Sequence, residues 1–324
     1  MDEFELIHRY FAPLADEAGL GLTDDAAFMV VDGSAPLVMT TDTISCGTHF
    51  RGEDPPDRVA WKALAVNVSD LLAKGVGHCR YTLALALGER DRDNADAYMQ
   101  SFTAGLAEAG AFFNASLVGG DTTVITGPTT ITITAFGAPE SGTGVRRQGG
   151  RDGDRLILAG TIGDAALALK RFEKGAAPGD ALLAAYQRPC PPVALAGAIA
   201  SMACAGVDIS DGLLADSAHL ARASGESASL HVGLIPFSDA ARAHLDDHPE
   251  DLLALLSGGD DYTPLLAVRP EKAPDFMRAG VALGIQLTDI GELEHSVETD
   301  GPTVRLLDRS GAVMQTDTIG YRHF

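Results

Sequence analysis

Five separated segments of these 324 residues place acids at a strand or helix terminus: Asp24-Asp25, Asp42, Asp70, Asp121, and Asp208 with Asp211. Carboxylates gathered at low effective dielectric repel one another by several kcal/mol unless a proton or cation intervenes. A fold that brings these ends together therefore has to supply positive charge. Residues 40–49, Thr-Thr-Asp-Thr-Ile-Ser-Cys-Gly-Thr-His, set Asp42 among hydroxyls where the apolar run 37–39 should end, an oxygen-rich edge that suits a hard cation such as Mg²⁺. Taken singly, each acid reads equally well as turn or cap chemistry, and Asp208-Ile209-Ser210-Asp211 as the N-terminal cap of a helix.

The periodicity between these acids predicts alternating helices and strands. Phe4, Ile7, Phe11 and Leu14 predict a helix over 2–18. Residues 28–31 and 37–39 predict a hairpin. Pro55-Pro56 opens a helix with Trp61, Leu64, Val68 and Leu71 on its apolar face, stopping at Gly75 and leaving Asp70 near a C-terminal end whose dipole it opposes. A strand over 81–87, a helix over 93–113, a short strand 116–118 ending at Gly119-Gly120-Asp121, and a period-two strand 130–136 follow. Periodicity lapses over 139–153, which predicts two domains, 1–138 and 139–324. The second begins with a strand at 155–158 and continues through helices over 164–173 and 193–205, a helix carrying Leu213, Leu214 and Leu220, and a strand over 265–268 after Ser257-Gly258-Gly259-Asp260-Asp261-Tyr262. The fold class expected is α/β of the α+β type.

Charge excludes several classes of function. With 45 Asp and Glu against 24 Lys and Arg, the net charge of −21 argues against nucleic acid or an anionic membrane as partner. Cys46, Cys79, Cys190 and Cys204 are scattered, without C-x-x-C spacing, which predicts reduced thiols in the cytoplasm. The acidic start Met1-Asp2-Glu3-Phe4-Glu5 does not look like a signal peptide, and no apolar run approaches a membrane span. No Gly-Lys dipeptide occurs, so there is no Walker A loop, and no G-x-G-x-x-G follows a strand. If the chain binds ATP, metal ions must do much of the work of a P-loop lysine.

Seven segments taken in order carry a resemblance. They are 24–27 (Asp-Asp-Ala-Ala), 41–43 (Thr-Asp-Thr), 47–50 (Gly-Thr-His-Phe), 62–70 (Lys-Ala-Leu-Ala-Val-Asn-Val-Ser-Asp), 119–123 (Gly-Gly-Asp-Thr-Thr), 208–213 (Asp-Ile-Ser-Asp-Gly-Leu) and 257–262 (Ser-Gly-Gly-Asp-Asp-Tyr), and the ending 320–324, Gly-Tyr-Arg-His-Phe, adds to them. Together they resemble the thiamine-monophosphate kinase family over nearly the whole chain. The resemblance implies a two-domain fold of the aminoimidazole-ribonucleotide-synthetase type, with N-terminal sheets pairing across a homodimer into a barrel. It implies transfer of the ATP γ-phosphate to thiamine phosphate, giving thiamine diphosphate. By position it implies Asp25, Thr40, Thr41, Asp42, Asp70, Asp121, Asp208 and Asp211 as ligands of several Mg²⁺ ions. Asp42, Asp121 and Asp211 would bear on the transferred group. Gly120, Asp121, Arg147 and Ser210 would contact the nucleotide, and His49, Asp260 and Tyr321 the thiamine phosphate.

Two positions depart from the family pattern: Thr23 stands where a second glycine is usual, and Asp260 where Glu is usual. Two other readings stay open on sequence. One is another ATP-dependent enzyme of the same superfamily, although no cysteine precedes Cys46 to serve a selenophosphate synthetase. The other is a non-catalytic module that binds metal or thiamine.

Overall fold

The alternation of apolar and hydroxyl residues builds the first sheet. The computed structural model describes residues 20, 23–24, 26–29, 36–295 and 303–314. The expected helix over 2–18, Asp25, Val30-Val31 and Tyr321 lie outside the described residues. The predicted hairpin forms between β1 (Ala27–Met29) and β2 (Leu37–Ser45), with Phe28 opposite Val38. β2 does not stop at Asp42. It runs on to Ser45 because Thr132 and Thr130 of β5 (Thr130–Gly137) continue the ladder, with hydroxyl pairs Thr41–Thr134, Thr43–Thr132 and Ser45–Thr130 at 2.9, 2.8 and 3.0 Å. The pleat sends Thr40, Asp42 and Ile44 to one face and Thr41 and Thr43 to the other.

β3 (Cys79–Leu87) pairs with β5 and, in parallel, with β4 (Ala115–Val124), giving the order β1-β2-β5-β3-β4. The helix Ala95–Phe113 makes the crossover, and Phe102, Leu106 and Phe113 are its buried face, with Tyr98 half-buried. The strand expected to end at Gly119-Gly120-Asp121 instead runs on to Val124. A Cβ on Gly120 would stand 2.0 Å from the Leu83 carbonyl oxygen, so the close approach of β3 to β4 requires glycine. Gly120→Ala is expected to destabilise the protein by about 1–3 kcal/mol, a loss that thermal unfolding followed by circular dichroism will register with no ligand present.

The helix Pro56–Ala73 opens at Pro55-Pro56 as predicted, and from Val59 to Ala73 every residue except Asp70 is buried. A helix apolar on all sides belongs in a core. This one is covered by the first sheet and helix Ala95–Phe113 on one side and by β7 (Ala203–Asp208) and β9 (Pro264–Val268) of a second sheet on the other. Asp54 does not cap it. Its carboxylate accepts from the Arg51 N–H, the Tyr186 hydroxyl and Gln187 Nε2 at 2.7, 3.2 and 2.7 Å.

Between Gly137 and Arg155 the chain has no helix or strand. The second sheet then runs β12-β11-β8-β10-β6-β9-β7, comprising β6 (Arg155–Ala159), β8 (Glu226–His231), β10 (Leu287–His295), β11 (Val304–Leu307) and β12 (Val313–Met314) with the two strands above. The helix expected over 193–205 ends at Met202, after a 3₁₀ turn at Val193–Leu195. Ala203 onward becomes β7 because Gly206 packs directly on the central helix; a Cβ there would stand 2.6 Å from the Ala73 carbonyl oxygen. The chain is thus mixed α/β with two sheets, and neither sheet closes on itself among the described residues. No described helix is long and apolar enough to cross a membrane.

Candidate active site

Three structural choices bring acids together between the sheets. Asp42 projects from the middle of β2 toward the central helix. Asp70 meets it from that helix, and Asp208 ends β7, with only 2% of its surface exposed. Asp42 and Asp208 each hydrogen-bond Asp70, and the Thr40 hydroxyl donates to Asp70 Oδ2 at 2.5 Å. Burial, and then the neighbouring carboxylates, push Asp70 well above the usual carboxylate range. Burial also raises Asp42, and it lifts Asp208 to about 6. The buried Lys74 lowers Asp70 and Asp208 somewhat, but its ammonium is shared with Asp24 Oδ1 at 2.8 Å and the Gly206 carbonyl at 3.1 Å.

The loop after β7 adds Ser210 and Asp211. Its shape is set by Asp216, a buried acid in the first turn of helix Leu213–Ser224, which accepts from the Ser210 and Asp211 amides at 3.0 Å each. Loop 258–262 is laced onto it, the Asp260 amide donating to Ser210 O at 2.9 Å and the Tyr262 amide to Ile209 O at 2.7 Å. Asp260 and Tyr262 take φ of +74° and +48°. Left-handed backbone at non-glycine residues stores strain of the kind found where side chains are aimed for function.

These acids line a cleft of about 650 Å³. His49 and Asp260 line the same cleft, His49 from the turn after β2 and Asp260 from the loop bonded to Ser210. His49 Nδ1 accepts from the Ser45 N–H at 3.1 Å, which sets the ring proton on Nε2. Asp260 pairs with Lys62 at 2.5 Å and accepts from the Tyr262 hydroxyl at 2.9 Å. The facing wall is one side of helix Asp164–Glu173, with Ala166, Leu169, Lys170 and Glu173 at helical spacing, and Lys170 is tied to Asp251.

Of the residues expected from sequence, the cleft gathers Asp42, Asp70, Asp208, Asp211, Ser210, His49 and Asp260, with Thr40 behind Asp70. Arg147 is half-buried and faces the same acids, its N–H donating to Asp24 Oδ2 at 2.8 Å. Three others are elsewhere. Thr41 is on the opposite face of β2, sharing its hydroxyl with Thr134. Gly120 and Asp121 are exposed on edge strand β4. The register from Asp42 through Ile133 and Leu83 to Gly120 puts β4 three strands away, roughly 14 Å. Lys62, Lys170 and Asp216 had no role assigned from sequence. Only Lys62 had a signal, a lone cation inside an otherwise apolar helical run.

The donor set fits a hard divalent cation. Asp70, with a carboxylate on either side, sits in more negative charge than Lys74 alone can offset, and all the donors are oxygens. No described group of three His, Cys, Asp or Glu side chains forms a preformed cage. An ion here would complete its shell with water and phosphate, as Mg²⁺ does.

Fold and cleft define a chain of the AIR synthase related class. Residues 23–138 match the AIR synthase related protein N-terminal domain, and residues 151–301 match its C-terminal domain. A thiamine-monophosphate kinase of Caulobacter vibrioides is 40% identical over 92% of this chain and 85% of its own length, and that of Escherichia coli K12 is 34% identical over 99% and 98%. The solved structure of AaThiL complexed with AMPPCP and TMP superimposes with a TM-score of 0.84 at 29% identity, covering 100% of this chain and 97% of that one. The chain belongs to the thiamine-monophosphate kinase family, a family of phosphotransferring enzymes.

Proposed function

We propose that the chain phosphorylates thiamine monophosphate to thiamine diphosphate, passing the γ-phosphoryl group of ATP directly to the acceptor phosphate across this cleft. The observation that carries the reading is the make-up of the cleft. A mutually repelling acid cluster, an imidazole donor and a buttressed carboxylate line one cleft. A family relative complexed with AMPPCP and TMP supports a cleft that takes both a nucleotide and an acceptor.

Thiamine monophosphate presents an anionic oxygen, so the nucleophile needs no general base, and positioning with charge stabilisation suffices. That matches a site rich in aspartate and poor in candidate bases. Asp42, Asp70, Asp208 and Asp211 would hold several Mg²⁺ ions, with the Thr40 hydroxyl orienting Asp70. Mg²⁺ bound there would screen the triphosphate and the charge developing on the transferred group. Ser210 and Arg147 flank the acids on the nucleotide side. His49 Nε2–H donates to the acceptor phosphate, and Asp260 faces the cationic ring system, with Tyr321 as a further acceptor contact.

The N-terminal domain, 1–138, then provides metal and nucleotide binding and the dimer contact, and the domain 139–324 completes the cleft. β4 supports the dimer. It is a ten-residue edge strand with Leu117, Val118 and Val124 exposed at 53%, 52% and 51%, and a long apolar edge invites pairing with another strand. Edge pairing of two copies would extend each first sheet toward a barrel and bring the Gly120-Asp121 segment into the joint. Leu117→Arg is expected to convert a dimer into a monomer in sedimentation velocity; a variant that sediments like the wild type removes β4 from the interface.

Incubation of the protein with ATP, Mg²⁺ and thiamine monophosphate, followed by oxidation to the fluorescent thiochrome diphosphate and chromatography, tests the activity. Product that EDTA abolishes is the expected result. ATP consumed only alongside a different acceptor would overturn it.

A further inference from the structure

We propose that Lys62 is the positioning residue of the acceptor half of the cleft, a buried ammonium that holds His49 and Asp260 at a fixed separation. The inference rests on the phosphotransfer reading above. Lys62 projects from the first half of the central helix and is 1% exposed. Its Nζ donates to Asp260 Oδ2 at 2.5 Å and to the His49 carbonyl at 3.0 Å, and it sits 4.2 Å from the centre of the Tyr186 ring.

Each of these partners comes from a different part of the chain. His49 is in the turn after β2 of the first sheet. Asp260 is in the loop before β9 of the second sheet, and Tyr186 is in helix Asp180–Gln187, where its hydroxyl reaches Asp54. A lysine buried this deeply is retained where its charge is fully engaged. Here it is, by one carboxylate, one carbonyl and one aromatic face. Both Asp260 oxygens are likewise engaged, Oδ1 by the Tyr262 hydroxyl and Oδ2 by Lys62. The aspartate that stands where the family has Glu is thus held back against the lysine, and the lysine sets how far its charge projects into the cleft.

Lys62 bonds His49 and Asp260, whereas the cation acting on Asp70 and Asp208 is Lys74, so the effect of Lys62 should fall on the acceptor and spare the nucleotide. Misplacing a binding group by about 1 Å changes rates by up to about 100-fold. Lys62→Met is expected to raise KM for thiamine monophosphate at least about tenfold while KM for ATP stays within about twofold. Asp260→Asn should shift the same constant. The double variant Lys62→Met/Asp260→Asn should be no worse than the poorer single variant, because groups acting as one unit are not additive. It also removes the carboxylate that Lys62→Met leaves buried and unpaired, so its thermal midpoint should lie closer to wild type, and it keeps the test open if Lys62→Met fails to fold.

Steady-state kinetics in both substrates decide the matter. Lys62→Met with an unchanged KM for thiamine monophosphate, or with both KM values raised equally, overturns the proposal, as does a double variant with wild-type acceptor affinity. A wild-type protein that makes no thiamine diphosphate overturns the function itself, and the two failures are therefore distinct.

Discussion

Asp42→Asn lowers thiamine diphosphate formation at least about 100-fold, the scale of removing one preorganised electrostatic contact to a transferred group. Asparagine keeps the shape and removes the charge. Asp42 sits mid-strand, between Ile133 opposite on β5 and Asp70 on the central helix, so the fold does not depend on its ionisation. The neighbouring residue supplies the control. The Thr41 hydroxyl meets Thr134 and the Ile133 carbonyl on the far face, and Thr41→Val should retain activity within about threefold, since it removes two hydroxyl contacts away from the cleft, each worth about 1 kcal/mol of stability. Initial rates of thiochrome diphosphate formation, with far-ultraviolet circular dichroism confirming the fold, check both; equal losses in the two variants would contradict an Asp42-centred site.

The second large effect has the opposite sign on stability. Asp208→Asn should stabilise the metal-free protein at neutral pH while abolishing turnover. The folded pKa of Asp208, about 6, stands above its ordinary value of 3.8 because burial, and then Asp42, disfavour the charge. The folded state therefore holds a proton that the unfolded chain has released between those values. The resulting penalty is absent below about pH 4, grows toward pH 6 and is fully present above it. The rise from 3.8 to about 6 corresponds to about 3 kcal/mol at most, several degrees in thermal midpoint for a chain of this size. Calorimetry of the two proteins at pH 7.5 and at pH 4 measures it: the variant should unfold several degrees higher at the first pH and match the wild type at the second. Mg²⁺ with ATP should raise the wild type and leave the variant nearly unmoved. A variant less stable at pH 7.5 would mean that the carboxylate is a structural partner and not a held charge.

How much of this was legible beforehand depended on which interaction fixed each residue. The hairpin at Phe28 and Val38, the Pro55-Pro56 helix start and the strand at residues 130–136 follow from local periodicity, and local periodicity is what built them. β4 and β7 were misjudged where two backbones meet. Gly120 against Leu83 and Gly206 against Ala73 are contacts between distant segments, and glycine reads as a turn until its neighbour is known. The acids of the cleft were visible as a recurring pattern. Their grouping was not, because the pleat of β2 that separates Thr41 from Asp42 depends on knowing that the strand continues. The wall from helix Asp164–Glu173 was hidden in a run whose apolar side served the core and whose other side forms the cleft. Lys62 had a signal in its isolation among apolar residues, but its meaning depended on Asp260, 198 positions later.

Direct transfer in a single cleft is tested most closely by the stereochemistry at phosphorus. With ATP made chiral at the γ-phosphorus by oxygen isotopes, and the terminal phosphoryl group of the thiamine diphosphate product analysed by ³¹P resonance, one in-line displacement inverts the configuration. Inversion is the expected result. Retention would require a phosphorylated enzyme residue and a second displacement, and would contradict direct transfer from nucleotide to acceptor.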